Sequence, residues 1–298
     1  MAEALSLKAA RRGERAHELR NLSAGLSLLG PASLLTVIML LGPLALLARF
    51  SVNRFDPIKL MVAATTAENY VRFFANPFYR DVMVTTIRVS VIVTVLCLAA
   101  ALPMAWRLAR TRSRFKSTWI VLTILPLFIG ATTRTAGWMI LFARGGMLDL
   151  LTRLFHGGHI DFMYTGTAVT VGIISINLPF TILTLQSVFE GIDPRLEEAA
   201  AGCGATPSRA FWRVIFPLAM PGVLISGVLC FILSMNAFPT PVLLGGPRFH
   251  MMAPLLYWEF SNNNDWPFAG ALAFILMITT LTLIGLANVL IPRRYRPS

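Results

Sequence analysis

Charge is what this 298-residue chain has least of: only 13% of its residues are Asp, Glu, Lys or Arg, against roughly a quarter in soluble domains. With 56% hydrophobic residues, that shortage excludes an ordinary soluble fold. Cysteine is almost as scarce. Cys97, Cys203 and Cys230 stand far apart with no C-x-x-C spacing, which excludes a disulfide framework or a zinc site. The four histidines, His17, His156, His159 and His250, form no H-E-x-x-H pair, and no nucleophile elbow accompanies them. The chain is therefore not read as an enzyme. G-x-x-x-x-G-K-[ST] is missing too, so the glycines bounding Gly145–Gly158 are no phosphate loop and the chain is not expected to bind ATP or any cofactor.

Acids are outnumbered, 14 against 26 Lys and Arg, for a net charge of +12. Such an excess could serve nucleic acid, so its placement decides. Lys8, Arg11, Arg12, Arg15 and Arg20 precede the first apolar run; Arg107, Arg110, Arg112, Arg114 and Lys116 crowd one short loop; Arg293, Arg294 and Arg296 close the chain. Positives that flank apolar runs mark cytoplasmic segments of a membrane protein, and no nucleic-acid module is visible.

Six apolar runs are each long enough for a hydrocarbon core of roughly 30 Å: Leu22–Ala48, Val82–Trp106, Ser117–Phe142, Phe162–Phe189, Val214–Ala237 and Trp266–Ile291. The fold class expected is all-α, with residues 22–291 as a six-helix membrane domain between a 1–21 tail that can lie on lipid headgroups and a 292–298 tail. The first run is too long for a cleaved signal peptide and is read as a retained span. An even number of spans places both termini on one side. The connections 49–81, 143–161 and 238–265 are nearly neutral, so both termini, the Arg107–Lys116 loop and the 190–217 loop are assigned to the cytoplasm. Outside the spans, Ala67–Phe74 and Gly145–Gly158 read as short amphipathic helices, the second a docking surface for a solute-binding protein.

Residues 190–217 are the one polar, cap-rich stretch between two apolar runs. Asp193-Pro194 and Thr206-Pro207 each pair an N-cap oxygen with a proline at the first helical position, which predicts two short helices in succession. Gly202 and Gly204 supply the left-handed or close-packed turn between them, and Pro217 and Pro221 fall in the first turns of the next run. Small residues around Ala199 and Ala200, flanked by Glu197 and Glu198, leave a flat face for a partner.

Within the spans, Pro103, Pro126 and Pro179 predict interruptions, and Asn177 puts an amide near mid-membrane. An arginine in mid-bilayer costs about 2.5–3.5 kcal/mol. Arg88 is read as snorkelling to the outer interface; Arg134 either snorkels or faces the pathway or a partner subunit. No span contains Asp or Glu. The rival class, an ion-gradient-driven transporter or channel, would want intramembrane acids or histidines as relays.

The spacing Glu198-Ala199-Ala200, three residues, Gly204, nine residues, Val214-Ile215-Phe216-Pro217 resembles the coupling loop of type I ABC importer permeases, E-A-A-x3-G-x9-I-x-L-P, with Val214 and Phe216 as apolar exchanges. Glu68-Asn69-Tyr70 with its following aromatics, and Phe238-Pro239-Thr240-Pro241-Val242-Leu243-Leu244-Gly245-Gly246-Pro247, are similar to segments of the spermidine/putrescine-type subfamily. The likeness covers Ala67 to the end. It implies an inner-membrane permease subunit, cytoplasmic ATPase subunits as partners, a second permease making a heterodimer, and an extracytoplasmic solute-binding protein. On that likeness Glu197, Glu198, Ala199, Ala200, Gly202, Gly204 and Pro217 carry the ATPase coupling. Asn177, Ser234, Asn236, Phe238 and Arg134 are pathway candidates. The chain departs from the subfamily at Ser234-Met235-Asn236-Ala237, where an acid commonly stands, so the solute is left open between a polyamine-like, an amino-acid-derived and another small organic molecule.

Overall fold

The computed structural model describes residues 30–156 and 161–290; the expected tails 1–21 and 292–298 lie outside them. Helices dominate: α1 Gly30–Ser51, α2 Glu68–Ala75, α3 Pro77–Arg110, α4 Lys116–Phe128, α5 Ala131–Phe142, α6 Met147–His156, α7 Gly166–Glu190, α8 Arg195–Gly202, α9 Pro207–Ala210, α10 Phe216–Met235, α11 Met252–Ser261 and α12 Trp266–Leu290. Five of these segments are apolar and long enough to cross a bilayer, and the bent pair α4–α5 brings the total to six. Residues 49–81, read as a loop with one helix, also hold a hairpin of β1 Arg54–Asp56 and β2 Leu60–Val62, paired antiparallel. Asp56 Oδ1 accepts the N–H groups of Ile58 and Lys59, both at 2.8 Å. Those bonds, Lys59 foremost, hold its carboxyl below the ordinary range.

α3 is the spine. Its Tyr79, Val82 and Met83 pack with Met235, Met252, Phe268 and Leu272 at one end. Val89, Val93 and Cys97 meet Val169, Ile173 and Leu244 in the middle. Ala101 and Ala105 meet Leu185, Phe189, Phe211 and Ile215 at the other end. Lipid tails are as apolar as leucine, so close packing rather than exclusion from water holds these layers. Small residues allow the approach: a Cβ on Gly222 would lie 2.3 Å from Val188, and one on Gly172 2.5 Å from Thr240. α1 is exposed along most of its length. It is tied in at its C-terminal end, where the Ser51 and Tyr70 hydroxyls lie 2.8 Å apart and Asn69 Nδ2 donates to Ser51 O and Asn53 O.

Two of the three expected proline interruptions do not occur. α3 runs through Pro103 and α7 through Pro179, whereas at Pro126 the chain does break. α4 ends two residues later, and α4 and α5 meet at 92° across Ile129-Gly130, so the expected span Ser117–Phe142 is not one straight helix. Arg134 bridges the end of α4 to the Pro179 region of α7. Its guanidinium donates to the Pro126 and Ile129 carbonyls at the open end of α4, the latter at 2.8 Å. It also reaches Ser175 O at 3.3 Å, the carbonyl that Pro179, lacking an N–H four residues on, leaves without its helical donor. A cation at a helix C-terminus is favoured by the dipole as well, so Arg134 staples two defects to each other. Arg88 is exposed on α3.

Candidate functional site

The 190–217 stretch forms a bent connector whose shape follows from local chemistry. α7 stops at Glu190, and Asp193 Oδ1 accepts the Arg195 N–H at 2.9 Å to open α8. α8 is closed by two bonds, Gly204 N–H to Ala201 O at 2.9 Å and Ala205 N–H to Ala200 O at 3.0 Å. With Gly204 at φ +81°, this is the six-to-one and five-to-two pattern of a Schellman cap, whose left-handed residue wants glycine. A side chain at 204 would meet nothing within 4 Å, so the demand is on backbone angle alone. Gly202 has no such role: it is the last residue of α8 with open space beside it. Thr206 Oγ1 then accepts the Arg209 N–H at 3.4 Å and opens α9.

Helical structure is continuous from Pro207 to Met235, so the fifth span starts earlier than Val214. Pro217 and Pro221 sit inside it rather than at its start. A π-helical turn at Phe211–Ile215 precedes Pro217, with Phe216 N–H bonded to Phe211 O. The wider turn takes up the carbonyl that a proline ring would otherwise strike.

The connector is locked to the end of α3. Arg110 Nε meets Glu197 Oε1 at 2.6 Å, Trp106 Nε1 approaches the same oxygen at 3.4 Å, and Arg110 Nη1 donates to Phe189 O and Ile192 O at 3.2 and 3.0 Å. Lys116 Nζ pairs with Glu190 at 2.8 Å. Phe211 packs on Trp106 and Phe189 with ring centroids 4.9 and 6.2 Å apart. Glu197 thus points into the molecule and does not flank a partner face as the sequence suggested. The exposed surface is made by Leu196, Glu198, Ala199, Gly202 and Cys203, with Trp212 on the next helix. Arg110 and Trp106 were not read as site residues; Arg110 was counted only among the loop's positives, and nothing local marks its partner.

The pathway candidates divide. Asn177 and Ser234 are both buried and bonded to each other, Nδ2 to Oγ at 2.9 Å, with Ser234 Oγ donating to Cys230 O at 2.8 Å; they join α7 to α10. Asn236 is exposed and bonds back to Ile232 O. Phe238 packs edge-on against Tyr257 at 5.0 Å and lines a cleft of about 630 Å³. Arg134 is the staple described above. No three His, Cys, Asp or Glu side chains cluster as metal ligands among the described residues.

Residues 59–296 match the family described as binding-protein-dependent transport system inner membrane component. The chain is 32% identical over 234 residues to the spermidine/putrescine transport system permease protein PotB of Haemophilus influenzae, covering 77% of this chain and 82% of that one. It is 31% identical over 227 residues to the PotB of Escherichia coli K12, covering 75% and 82%. It is also 27% identical over 229 residues to the molybdenum transport system permease protein ModB of Mycobacterium bovis, covering 76% and 86%. Among solved structures, a chain of a bacterial alginate ABC transporter in complex with an alginate-bound periplasmic protein shares the fold, with a TM-score of 0.77 at 15% identity over 91% of this chain and 95% of that one. An ion-gradient transporter or channel is set aside by the family match, and the protein is a transport component rather than an enzyme. From its Schellman-capped connector and its bundle of apolar helices to its relatives, this chain belongs to the binding-protein-dependent transport system inner membrane components, the multi-pass permease subunits of type I ABC importers.

Proposed function

We propose that the chain imports a polyamine-like organic cation and that α8, turned out by the Gly204 cap, is the element through which an ATPase subunit drives it. The reading rests on one observation: the connector is rigidly joined to α3 through Arg110 and Glu197 while its other side, Leu196, Glu198, Ala199 and Gly202, stays exposed. A push on that exposed side is delivered directly to the helix that runs through all three cores. Glu198, Ala199, Ala200 and Gly204 then form the contact, Glu197 anchors it, and Pro217 with the π turn sets its angle to α10. Gly202 supplies only smallness.

In this reading residues 22–291 are the membrane domain. The 190–217 loop and both termini face the cytoplasm, as the positive excess there requires. The partners are two ATPase subunits, a second permease and a solute-binding protein on the far side. The names of relatives support the cation: the spermidine/putrescine permeases align over three quarters of the chain. ModB, a molybdenum transport system permease protein, shares much of the same sequence frame, so the solute is set by local residues.

Cys203 provides the test, because it is exposed on the connector and Cys97 and Cys230 are buried. In the assembled transporter a short thiol cross-linker is expected to join Cys203 to an ATPase subunit, and an impermeant maleimide to label it in inverted vesicles only. Labelling from the outside of intact cells would place the connector on the wrong face and end the proposal.

A further inference from the structure

The end of the bundle opposite the connector carries a feature that the six spans did not predict: a buried acid beside an aromatic cleft. Phe78 at the start of α3 and Trp106 near its end are 28 residues apart, about 42 Å at 1.5 Å per residue, so this cleft and the connector lie at the two extremes of the spine. Its walls include Phe78, Phe238, His250, Tyr257, Trp258 and Glu259, and its volume of about 630 Å³ is within the range of small-molecule sites.

Glu259 is only 4% exposed. Its Oε1 accepts from the Tyr79 hydroxyl at 3.2 Å and its Oε2 from Asn263 Nδ2 at 2.7 Å. Both partners are neutral dipoles. Arg72 Nη2 donates to the same Tyr79 hydroxyl at 3.4 Å, but its charge is committed to the buried Asp265, 2.7 Å away, and to the face of Phe268 at 4.0 Å. Asp265 therefore takes the one ion pair that Arg72 makes, and among the described residues no cation stands within ion-pair distance of Glu259. His250 also lines the cleft, edge-on to Phe78 at 5.6 Å. A buried, hydrogen-bonded but uncompensated carboxylate is costly, and the faces of Phe, Tyr and Trp attract a cation without competing for its hydrogen bonds.

We infer that this cleft is a subsite for a primary ammonium group, with Glu259 as its counter-ion and the rings of Tyr257, Trp258, Phe238 and Phe78 around its methylene chain. The inference deepens the proposed function and rests on it for the direction of transport, but binding itself does not depend on transport. It also answers the lack of acid in the spans: the negative charge sits on α11, between the fifth and sixth of them.

Putrescine is the probe, titrated by ligand-observed NMR against the whole transporter in nanodiscs, with ATP-driven putrescine uptake measured in parallel. Binding is expected in the unmodified complex, weakened about ten-fold or more by Glu259→Gln, as befits loss of a charged hydrogen-bond partner. Glu259→Asp should recover part of it. Tyr257→Leu, at an exposed ring outside the Glu259 hydrogen bonds, should weaken binding several-fold and guards against a folding artefact at 259. The neutral isostere 1,4-butanediol should not compete. Unchanged binding in both Glu259→Gln and Tyr257→Leu overturns the subsite while leaving the permease reading intact. So does equal displacement by potassium, which would mark an unselective counter-ion. Binding that behaves as expected without any ATP-driven uptake supports the subsite and sinks the transport reading instead.

Discussion

The two ends of α3 each carry a buried or half-buried carboxylate, and they treat it differently. At the connector, Glu197 is matched one-to-one with Arg110 at 2.6 Å, with both side chains about a fifth exposed. At the cleft, Asp265 and Glu259 are nearly sealed, at 3% and 4% exposure; Asp265 pairs with Arg72, itself 44% exposed, while Glu259 has no ion pair among the described residues. One end is neutral and closed, which suits an element that must transmit force without changing shape. The other keeps an unspent negative charge beside open volume, which suits an element that must receive something. The contrast is electrostatic rather than architectural, because the same helix supports both.

Removing Arg72 should give the largest effect. Burial works against its charge, yet the Asp265 carboxylate and the Tyr79 hydroxyl outweigh that and hold its pKa above the ordinary arginine value. Arg72→Leu leaves the buried Asp265 without its ion-pair partner, at a cost of about 3 kcal/mol after allowing for solvent on the arginine side. It is expected as a large drop in thermal midpoint of the detergent-solubilised chain, relieved by pairing it with Asp265→Asn. Arg110→Ala should cost less, about 2 kcal/mol, and show itself mainly as transport falling while ATPase turnover continues. A double-mutant cycle with Glu197→Gln should then return a coupling energy of about 1 kcal/mol or more. If Arg110→Ala leaves transport intact, the closed end is not the force-bearing one.

Gly204→Ala forces a Cβ into the left-handed region and should cost about 1 kcal/mol, with coupled transport reduced; Gly204→Asn should suffer less, since asparagine tolerates that angle. Asn177→Ala removes an interhelical bond of a kind that averages about 0.6 kcal/mol in membranes, so its thermal midpoint should move only slightly. A severe loss of uptake with normal stability would instead return Asn177 to the pathway. These two sharpen the comparison, because neither touches the charge balance at either end.

Much of the connector is legible in the sequence. Asp193 and Thr206 bond to backbone N–H groups two and three residues on, and Gly204 closes a cap within six residues. Signals of that reach survive as patterns in the chain. The aromatics of Glu68–Phe74 likewise led to α2, and the Gly145–Gly158 stretch to α6. The bend at Ile129-Gly130 was not legible, since Pro103, Pro126 and Pro179 look alike in sequence and only one of them breaks its helix. Nor was Glu259 visible as a site, because counting acids within apolar spans passes over a helix that lies between two of them.

By itself the amino-acid sequence determined the membrane class, the apolar runs, the helix caps and the left-handed turn, all of them properties set by residues within a turn or two of one another. Only the tertiary structure decided that Glu197 faces Arg110 across 87 residues, that Arg134 reaches Ser175 across 41, and that Tyr79 meets Glu259 across 180. Local angles and caps are chosen by the backbone's own short-range geometry. Partners at those separations are chosen by which helix faces pack, and a buried charge or freed carbonyl then takes whichever group the packing brings within reach.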